Sequence, residues 1–274
     1  MSSGSSSGGT TPPSAPAGAL ERLDSALVAR GLARSRGQAQ ELIRAGRVSL
    51  DGRTGLKASD LVGDTDVIEA RTDPYVSRGA HKLAGALDDL GLVPRGRALD
   101  AGSSTGGFTQ VLLERGVEQV YAVDVGTDQL AAPLRADPRV HVQEQTSARD
   151  LTPENLDGEP VDLVVADLSF ISLTKFLETF HEVTAPDGTW LLMVKPQFEV
   201  GRAALDKGGV VRDPVLHQQA VDGVAAAAAT LGWHVQAVVA SRLPGPAGNQ
   251  EFFVHLTRSP SPADARTVAT SAGP

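Results

Sequence analysis

The stretch Asp100-Ala101-Gly102-Ser103-Ser104-Thr105-Gly106-Gly107-Phe108-Thr109 decides the fold class. An apolar run at 98–102 leads into it, and residues 108–115 follow with helical spacing. A glycine-rich turn between a strand and a helix lets a ligand approach backbone N–H groups at the helix N-terminus. Further along, short apolar runs at 120–125, 140–143, 161–167 and 190–194 alternate with helical stretches at 173–180 and 215–231. That alternation predicts a Rossmann-like α/β domain, a parallel sheet covered by helices on both faces. The last runs, 233–241 and 251–256, flank the Pro/Gly-rich loop 243–250 and suit an antiparallel closing pair.

The loop permits more than one chemistry. Asp124 ends the second strand about 20 residues on, where a carboxylate can accept hydrogen bonds from ribose hydroxyls. That geometry serves NAD and S-adenosylmethionine alike. Gly102-Ser103-Ser104-Thr105-Gly106 also matches a G-x-S-x-G nucleophile elbow, with Asp167 and His255 following in the chain order a serine hydrolase uses. Against it, the segment follows the first strand, and nothing nearby resembles an oxyanion loop. A loop that merely turns the chain is the remaining reading. Lysine usage adds information, because the chain has 20 Arg and five Lys. Lys195 directly follows Leu191-Leu192-Met193-Val194, and Asp167 ends the run 161–167. Both therefore fall at the carboxyl edge of the sheet, where open α/β sheets bind ligands.

Composition removes other classes. With no cysteine, the chain has no disulfide framework, thiolate metal site or thiolate nucleophile. Its six histidines show none of the spacings that place two imidazoles on one metal, so no metal is expected. No apolar run reaches the roughly 18 residues of a membrane span. Residues 1–19 and 259–274 are dominated by Ser, Gly, Thr, Pro and Ala and are expected to be a disordered leader and tail, without secretory character. A soluble, cytoplasmic protein is expected.

Charge divides what remains. Residues 20–57 carry eight basic and four acidic side chains, a balance of +4, while 58–258 carry −12, and together these make the chain's total of −8. In the basic part, Leu23, Ala26 and Leu27 share a helix face that Gly31 closes. Ser35 is a good N-cap for a second helix bearing Ala39, Leu42 and Ile43, ended by Gly46. Val48 and Leu50 then enter a tight turn at Asp51-Gly52, with Val62, Val67 and Ile68 as later strand material. The arginines lie mainly off the apolar stripe, as a solvated face or a phosphate-binding surface would place them. Expected boundaries are 20–70 for this module, 71–77 for a linker marked by Asp73-Pro74, and 78–258 for the larger domain.

The order R-L-D-x-x-L-x₃-G-L-A-x-S-R-x-x-A-x₂-L-I-x₂-G-x-V-x-x-D-G from Arg22 to Gly52 closely resembles the S4 RNA-binding domain. The loop 100–109, S-R-G-A-H-K-L from Ser77, A-D-L-S-F-I-S-L from Ala166, V-K-P-Q-F-E-V-G from Val194 and P-G-P-A-G-N-Q-E-F-F from Pro244 together resemble the TlyA family. That family joins a small α+β S4 domain to an FtsJ-like, class I methyltransferase sheet. The resemblance implies methylation of a cytidine ribose 2′-hydroxyl in ribosomal RNA, with S-adenosyl-L-methionine as cofactor and ribosomal subunits as the partner. It also implies a catalytic tetrad of Lys82, Asp167, Lys195 and Glu251, with Lys195 as the base. A lysine acts as a base only as the free amine, which desolvation or a second ammonium favours. The same resemblance places Asp100, Gly102, Ser103, Gly106, Gly107 and Phe108 around the methionine and ribose portions of the cofactor, and Asp124 at the ribose hydroxyls.

For RNA it points to Arg22, Arg34, Arg36 and Arg47 in the basic module and to Arg78 beside the motif loops. Lys82, Arg202, Lys207, Arg212 and Arg242 are further candidates in the acidic domain. Two segments depart from the family pattern: Thr146-Ser147-Ala148-Arg149 replaces a T-N-x-R sequence, and Asp73-Pro74-Tyr75-Val76 replaces an aromatic interdomain sequence. Some members are labelled haemolysins, yet this sequence has no membrane span or strongly amphipathic basic helix to support pore formation.

Overall fold

The computed structural model describes residues 20–33, 35–71 and 73–258. Expectations for the leader, the tail and Arg34 lie outside the described residues. Contacts divide the chain between Pro74 and Tyr75 into two compact units.

In the first unit, β1 (Glu21–Arg22), α1 (Leu23–Ala29), α2 (Arg36–Arg44), β2 (Val48–Leu50), β3 (Leu61–Val62) and β4 (Ile68–Ala70) enclose one small core. β1 pairs antiparallel with β3, and β2 with β4. The local signals act as expected. Ser35 Oγ accepts from the Gln38 N–H at 3.3 Å, and Gly31 follows α1 at φ 71°. Asp51 and Gly52, at φ 49° and 77°, make the two-residue turn that brings Leu50 and Arg53 into mutual hydrogen bonds.

The second unit begins with α3 (Arg78–Leu90), a helix the alternation pattern from 97 onward did not include. Its signals were present, since Ala80, Leu83 and Leu87 are buried on one face and Gly91, at φ 60°, ends it. There follow β5 (Arg97–Ala101), α4 (Gly107–Glu114), β6 (Gln119–Val123), α5 (Ala132–Arg135) and β7 (Val140–Gln143). Then come β8 (Val161–Ala166), α6 (Leu177–Val183), β9 (Thr184–Val194), α7 (Pro196–Glu199), α8 (Pro214–Ala229), β10 (His234–Ala240) and β11 (Phe252–Thr257). The seven strands form one sheet of order β10-β11-β9-β8-β5-β6-β7, in which β11 alone runs against its neighbours.

Strand periodicity explains the layers. Leu99, Tyr121, Val164, Trp190 and Leu192 face one side and pack with α6 and α8. Ala98, Val120, Val165, Leu191 and Met193 face the other and pack with α3 and α4. Trp190 and Trp233, both fully buried, stack with ring centroids 3.7 Å apart.

Two expectations need correction. The run expected at 190–194 is the end of a strand that begins at Thr184, because the ladder between β8 and β9 slips between Val161 and Leu163 and accommodates Pro186-Asp187-Gly188 as an irregularity. The linker expected at 71–77 is shorter. Tyr75 and Val76 pack on the α3–α4 core, the Val76 N–H donates to Gln110 Oε1 at 2.9 Å, and Ser77 occupies the N-cap position of α3 in extended backbone.

Candidate active site

At the carboxyl edge of β5, β8 and β9, the loop 102–107, the start of α3 and the segment 246–251 enclose a cleft of about 410 Å³. This is within the usual size of a small-molecule site. Its wall contains Lys82, Asp167, Lys195 and Glu251, residues from four separate regions of the sequence.

The four form two ion pairs. Lys82 Nζ lies 2.5 Å from Glu251 Oε2, both side chains almost fully buried. Lys195 Nζ lies 2.6 Å from Asp167 Oδ1 and donates to Ser169 Oγ at 2.7 Å. Local folding explains the positions. Asp167 and Lys195 stand one residue past the ends of adjacent parallel strands, where their side chains leave the sheet. Lys82 lies in the second turn of α3, and Glu251 immediately precedes β11. An ammonium held in a dry wall needs its carboxylate, since stripping water from either charge alone costs several kcal/mol.

Ser169 was not singled out in the sequence. Its signal was proximity to Asp167, which did not say that the hydroxyl meets Lys195. Phe170 was missed as well. It is 91% exposed, holds φ at 69°, and its ring lies 5.4 Å from that of Phe198. A bulky residue in the left-handed region is a strained conformation of the kind that concentrates at functional sites.

The glycine loop supplies the opposite wall through Gly102, Ser103, Gly107 and Phe108. A Cβ on Gly102 would lie 2.8 Å from the Asp167 carbonyl oxygen, and one on Gly107 would lie 2.9 Å from the Ala80 nitrogen. The loop thus lies flat between β8 and α3 because it carries no side chains there. Three expected cofactor residues do not line this cleft. Gly106, at φ 93°, backs onto Leu130 and Leu134. Asp124 is partly buried and accepts from the N–H groups of Ser104 at 2.9 Å and Gly126 at 2.7 Å, which fixes the loop.

Asp100 lies beneath the loop, fully buried, where its Oδ2 accepts from Thr109 Oγ1 at 2.7 Å and its Oδ1 has no partner among the described residues. Burial above all pushes this carboxyl up to about 7. The native group then keeps its proton up to about pH 7, whereas the unfolded group loses it near pH 4, so stability falls as pH rises across that window. Asp100→Asn is therefore expected to gain on the order of 2 kcal/mol relative to the parent between pH 5 and pH 7.5 in urea unfolding. A difference that stays constant with pH would show the carboxylate to be ionised throughout.

No hydrolase triad forms. Ser104 Oγ bonds to Gln129 Oε1 at 3.1 Å, Asp167 is held by Lys195, and His255 Nε2 is buried without a partner among the described residues.

The basic residues are more occupied than their charge suggested. In the first unit Asp24 is fully buried and accepts from Arg22 Nε at 3.0 Å, Arg36 Nη2 at 3.1 Å and Gln40 Nε2 at 2.9 Å. The Arg22 guanidinium first, then Gln40 and Arg36, hold its carboxyl far below the usual carboxylate range. Arg22 and Arg36 still expose about half of their side chains, 46% and 58%. Arg47 pairs with Asp73 at 2.9 Å. In the second unit Arg78 donates to the Pro244 carbonyl at 3.1 Å, Arg212 pairs with Asp206 and Arg242 with Asp89. The last two still expose 77% and 52% of their side chains. Among the described residues no group of side chains could hold a metal ion, and no helix is long and apolar enough to cross a membrane.

The sequence model of the FtsJ-like methyltransferase family matches residues 75–258, and that of the S4 domain matches residues 21–68. Over 239 residues the chain is 54% identical to the 16S/23S rRNA (cytidine-2′-O)-methyltransferase TlyA of Mycobacterium tuberculosis, covering 86% of this chain and 89% of that protein. It is 38% identical to the putative rRNA methyltransferase YqxC of Bacillus subtilis over 86% of this chain and 85% of that one. Among solved structures, a putative hemolysin from Streptococcus thermophilus is similar with a TM-score of 0.69 at 36% identity, covering 88% of this chain and 90% of that one.

Proposed function

The chain belongs to the FtsJ-like methyltransferases and carries an S4 domain, and from that premise we propose that it methylates the 2′-hydroxyl of a cytidine ribose in ribosomal RNA. The observation that carries this reading is the single cleft in which Lys82–Glu251 and Lys195–Asp167 face the glycine loop. The residues fit S-adenosyl-L-methionine as the cofactor. Gly102, Ser103, Gly107 and Phe108 would hold its methionine and ribose portions, and Asp124 keeps acceptor capacity for the ribose hydroxyls. Asp100 would act from below, by fixing Thr109 in the first turn of α4. When bound, the cofactor supplies an electrophilic methyl group whose bond to sulfur breaks with both electrons remaining on sulfur.

The chain's own residues do the rest. A ribose hydroxyl is a weak nucleophile until its proton is drawn off as it attacks. Lys195 is the group that takes that proton while the oxygen forms its bond to the methyl carbon. Asp167 then stands beside the ammonium that results, at hydrogen-bond distance. Lys82, held by Glu251, places a second positive charge on the cleft wall, suited to the ribose oxygen or a neighbouring phosphate. Phe170 offers an exposed ring on which an unstacked base can rest.

The S4 unit would dock the RNA through Arg22, Arg34, Arg36 and Arg47, with Arg78, Arg202 and Lys207 on the catalytic unit. RNA in ribosomal subunits as substrate implies work in the cytoplasm. If about six cations meet phosphates, affinity for subunits falls on the order of 10³-fold between 50 and 200 mM salt. A flat salt dependence in a filter-binding titration would remove the docking role.

The test of the function is transfer of labelled methyl from S-adenosylmethionine to purified ribosomal subunits that lack the modification, followed by nuclease mapping. Label is expected at a cytidine ribose. Cofactor and RNA binding with no label on either subunit would instead favour an RNA-binding assembly factor.

A further inference from the structure

A base must present its lone pair to the proton it removes, and the arrangement around Lys195 bears on how this is done. A lysine amine has two N–H bonds and one lone pair around its nitrogen. With Asp167 as its only acceptor, the group could rotate about the Cε–Nζ bond and turn the lone pair away. The structure gives Nζ two acceptors, Asp167 Oδ1 at 2.6 Å and Ser169 Oγ at 2.7 Å. Two directions fixed about that bond determine the third. Because Lys195, Asp167 and Ser169 all line the cleft, the third direction is left for what enters it. Lys82 differs, since Glu251 is its one side-chain partner among the described residues.

The backbone supports the same placement. Asp167 follows the end of β8, its N–H bonded to the Ala101 carbonyl at 3.0 Å, and the chain turns at Phe170 with φ at 69°. Ser169 is therefore held between a sheet-anchored residue and a strained one, next to the end of β9.

We propose that Ser169 is a positioning residue for methyl transfer, fixing the Lys195 amine so that its lone pair faces the substrate hydroxyl. The inference rests on the methyltransferase reading above. The proton passes from the 2′-oxygen to the Lys195 nitrogen as the oxygen bonds to the methyl carbon, and Ser169 loses and gains nothing in the step.

The experiment compares the full-length wild type, Ser169→Ala, Ser169→Thr and Lys195→Ala on subunits lacking the modification. Cofactor affinity is measured separately by calorimetry, and folding by thermal melting. In Ser169→Ala, kcat is expected to fall on the order of tenfold to a hundredfold, with KM for subunits and cofactor Kd within about twofold of wild type. Ser169→Thr keeps the hydroxyl and is expected to recover most of the rate. The proposal is overturned if Ser169→Ala retains kcat within about twofold of wild type, or if its defect falls in KM or cofactor Kd. A different result, no transfer by the wild type itself, removes the methyltransferase reading and not merely the role of Ser169.

Discussion

Lys195→Ala is expected to lower the rate of methyl transfer by on the order of 10³-fold or more, while cofactor affinity stays within about threefold. The side chain is nearly buried in the cleft wall, and its nitrogen is bonded to Asp167 and Ser169. Truncation removes the group assigned to take the hydroxyl proton and leaves the glycine loop untouched. The unpaired Asp167 is 25% exposed and faces the cleft, so water can replace the lost ammonium and the fold should survive. Single-turnover transfer to subunits, with calorimetric titration of the cofactor, separates the two effects. A variant that keeps more than about a tenth of the wild-type rate would show that Lys195 is not the base and would turn attention to Lys82.

The second large effect is expected for Gly102→Ala. The residue sits at φ 84°, where an added Cβ would lie 2.8 Å from the carbonyl oxygen of Asp167 and 3.2 Å from its carbonyl carbon. The left-handed conformation alone costs about 1–2 kcal/mol once a Cβ is present. The contact is with backbone and cannot be relieved by a rotamer change, so either the loop or Asp167 must move. Movement of Asp167 shifts the acceptor that orients Lys195, and movement of the loop shifts the cofactor wall. Methyl transfer is expected to fall on the order of 10²-fold, with weakened cofactor binding and a Tm lower by about 5 °C.

Gly158→Ala separates strain from contact. That glycine has φ 77° with nothing within 4 Å of the added Cβ. It should lose Tm by the strain alone and keep its activity. Equal losses of activity in both variants would mean that the contact at Gly102 is unimportant.

Much of this molecule is written locally. Apolar runs of strand length, glycines at turns and the N-cap Ser35 each act within a few residues, so the alternating elements of the larger unit and the plan of the S4 unit could be read without tertiary information. Lys82, Asp167, Lys195 and Glu251 could be named through the resemblance of their segments to a known family, and Asp167 and Lys195 also through the ends of apolar runs, which the structure places one residue past β8 and β9. The helix Arg78–Leu90 carries local signals too, an apolar face and a closing glycine, although it lies before the alternating pattern that starts at residue 97.

What remained hidden depends on pairing between distant residues. Lys82 and Glu251, 169 positions apart, choose each other only when α3 and the start of β11 meet. Asp24 looks like an exposed first-turn acid until packing buries it under Arg22, Arg36 and Gln40. Asp124 and Asp100 are alike in the sequence as candidate ligand carboxylates, and their surroundings differ. The fold satisfies one with the N–H groups of Ser104 and Gly126, and buries the other against Thr109. By itself the sequence determined the element types, the two-unit plan and the residue types at the carboxyl edge of the sheet, because periodicity and backbone preference act over a few residues. Only the tertiary structure decided which acid holds which cation, which carboxylate is buried and which groups surround the Lys195 nitrogen, because burial and hydrogen-bond geometry are set by whatever the fold packs against each group.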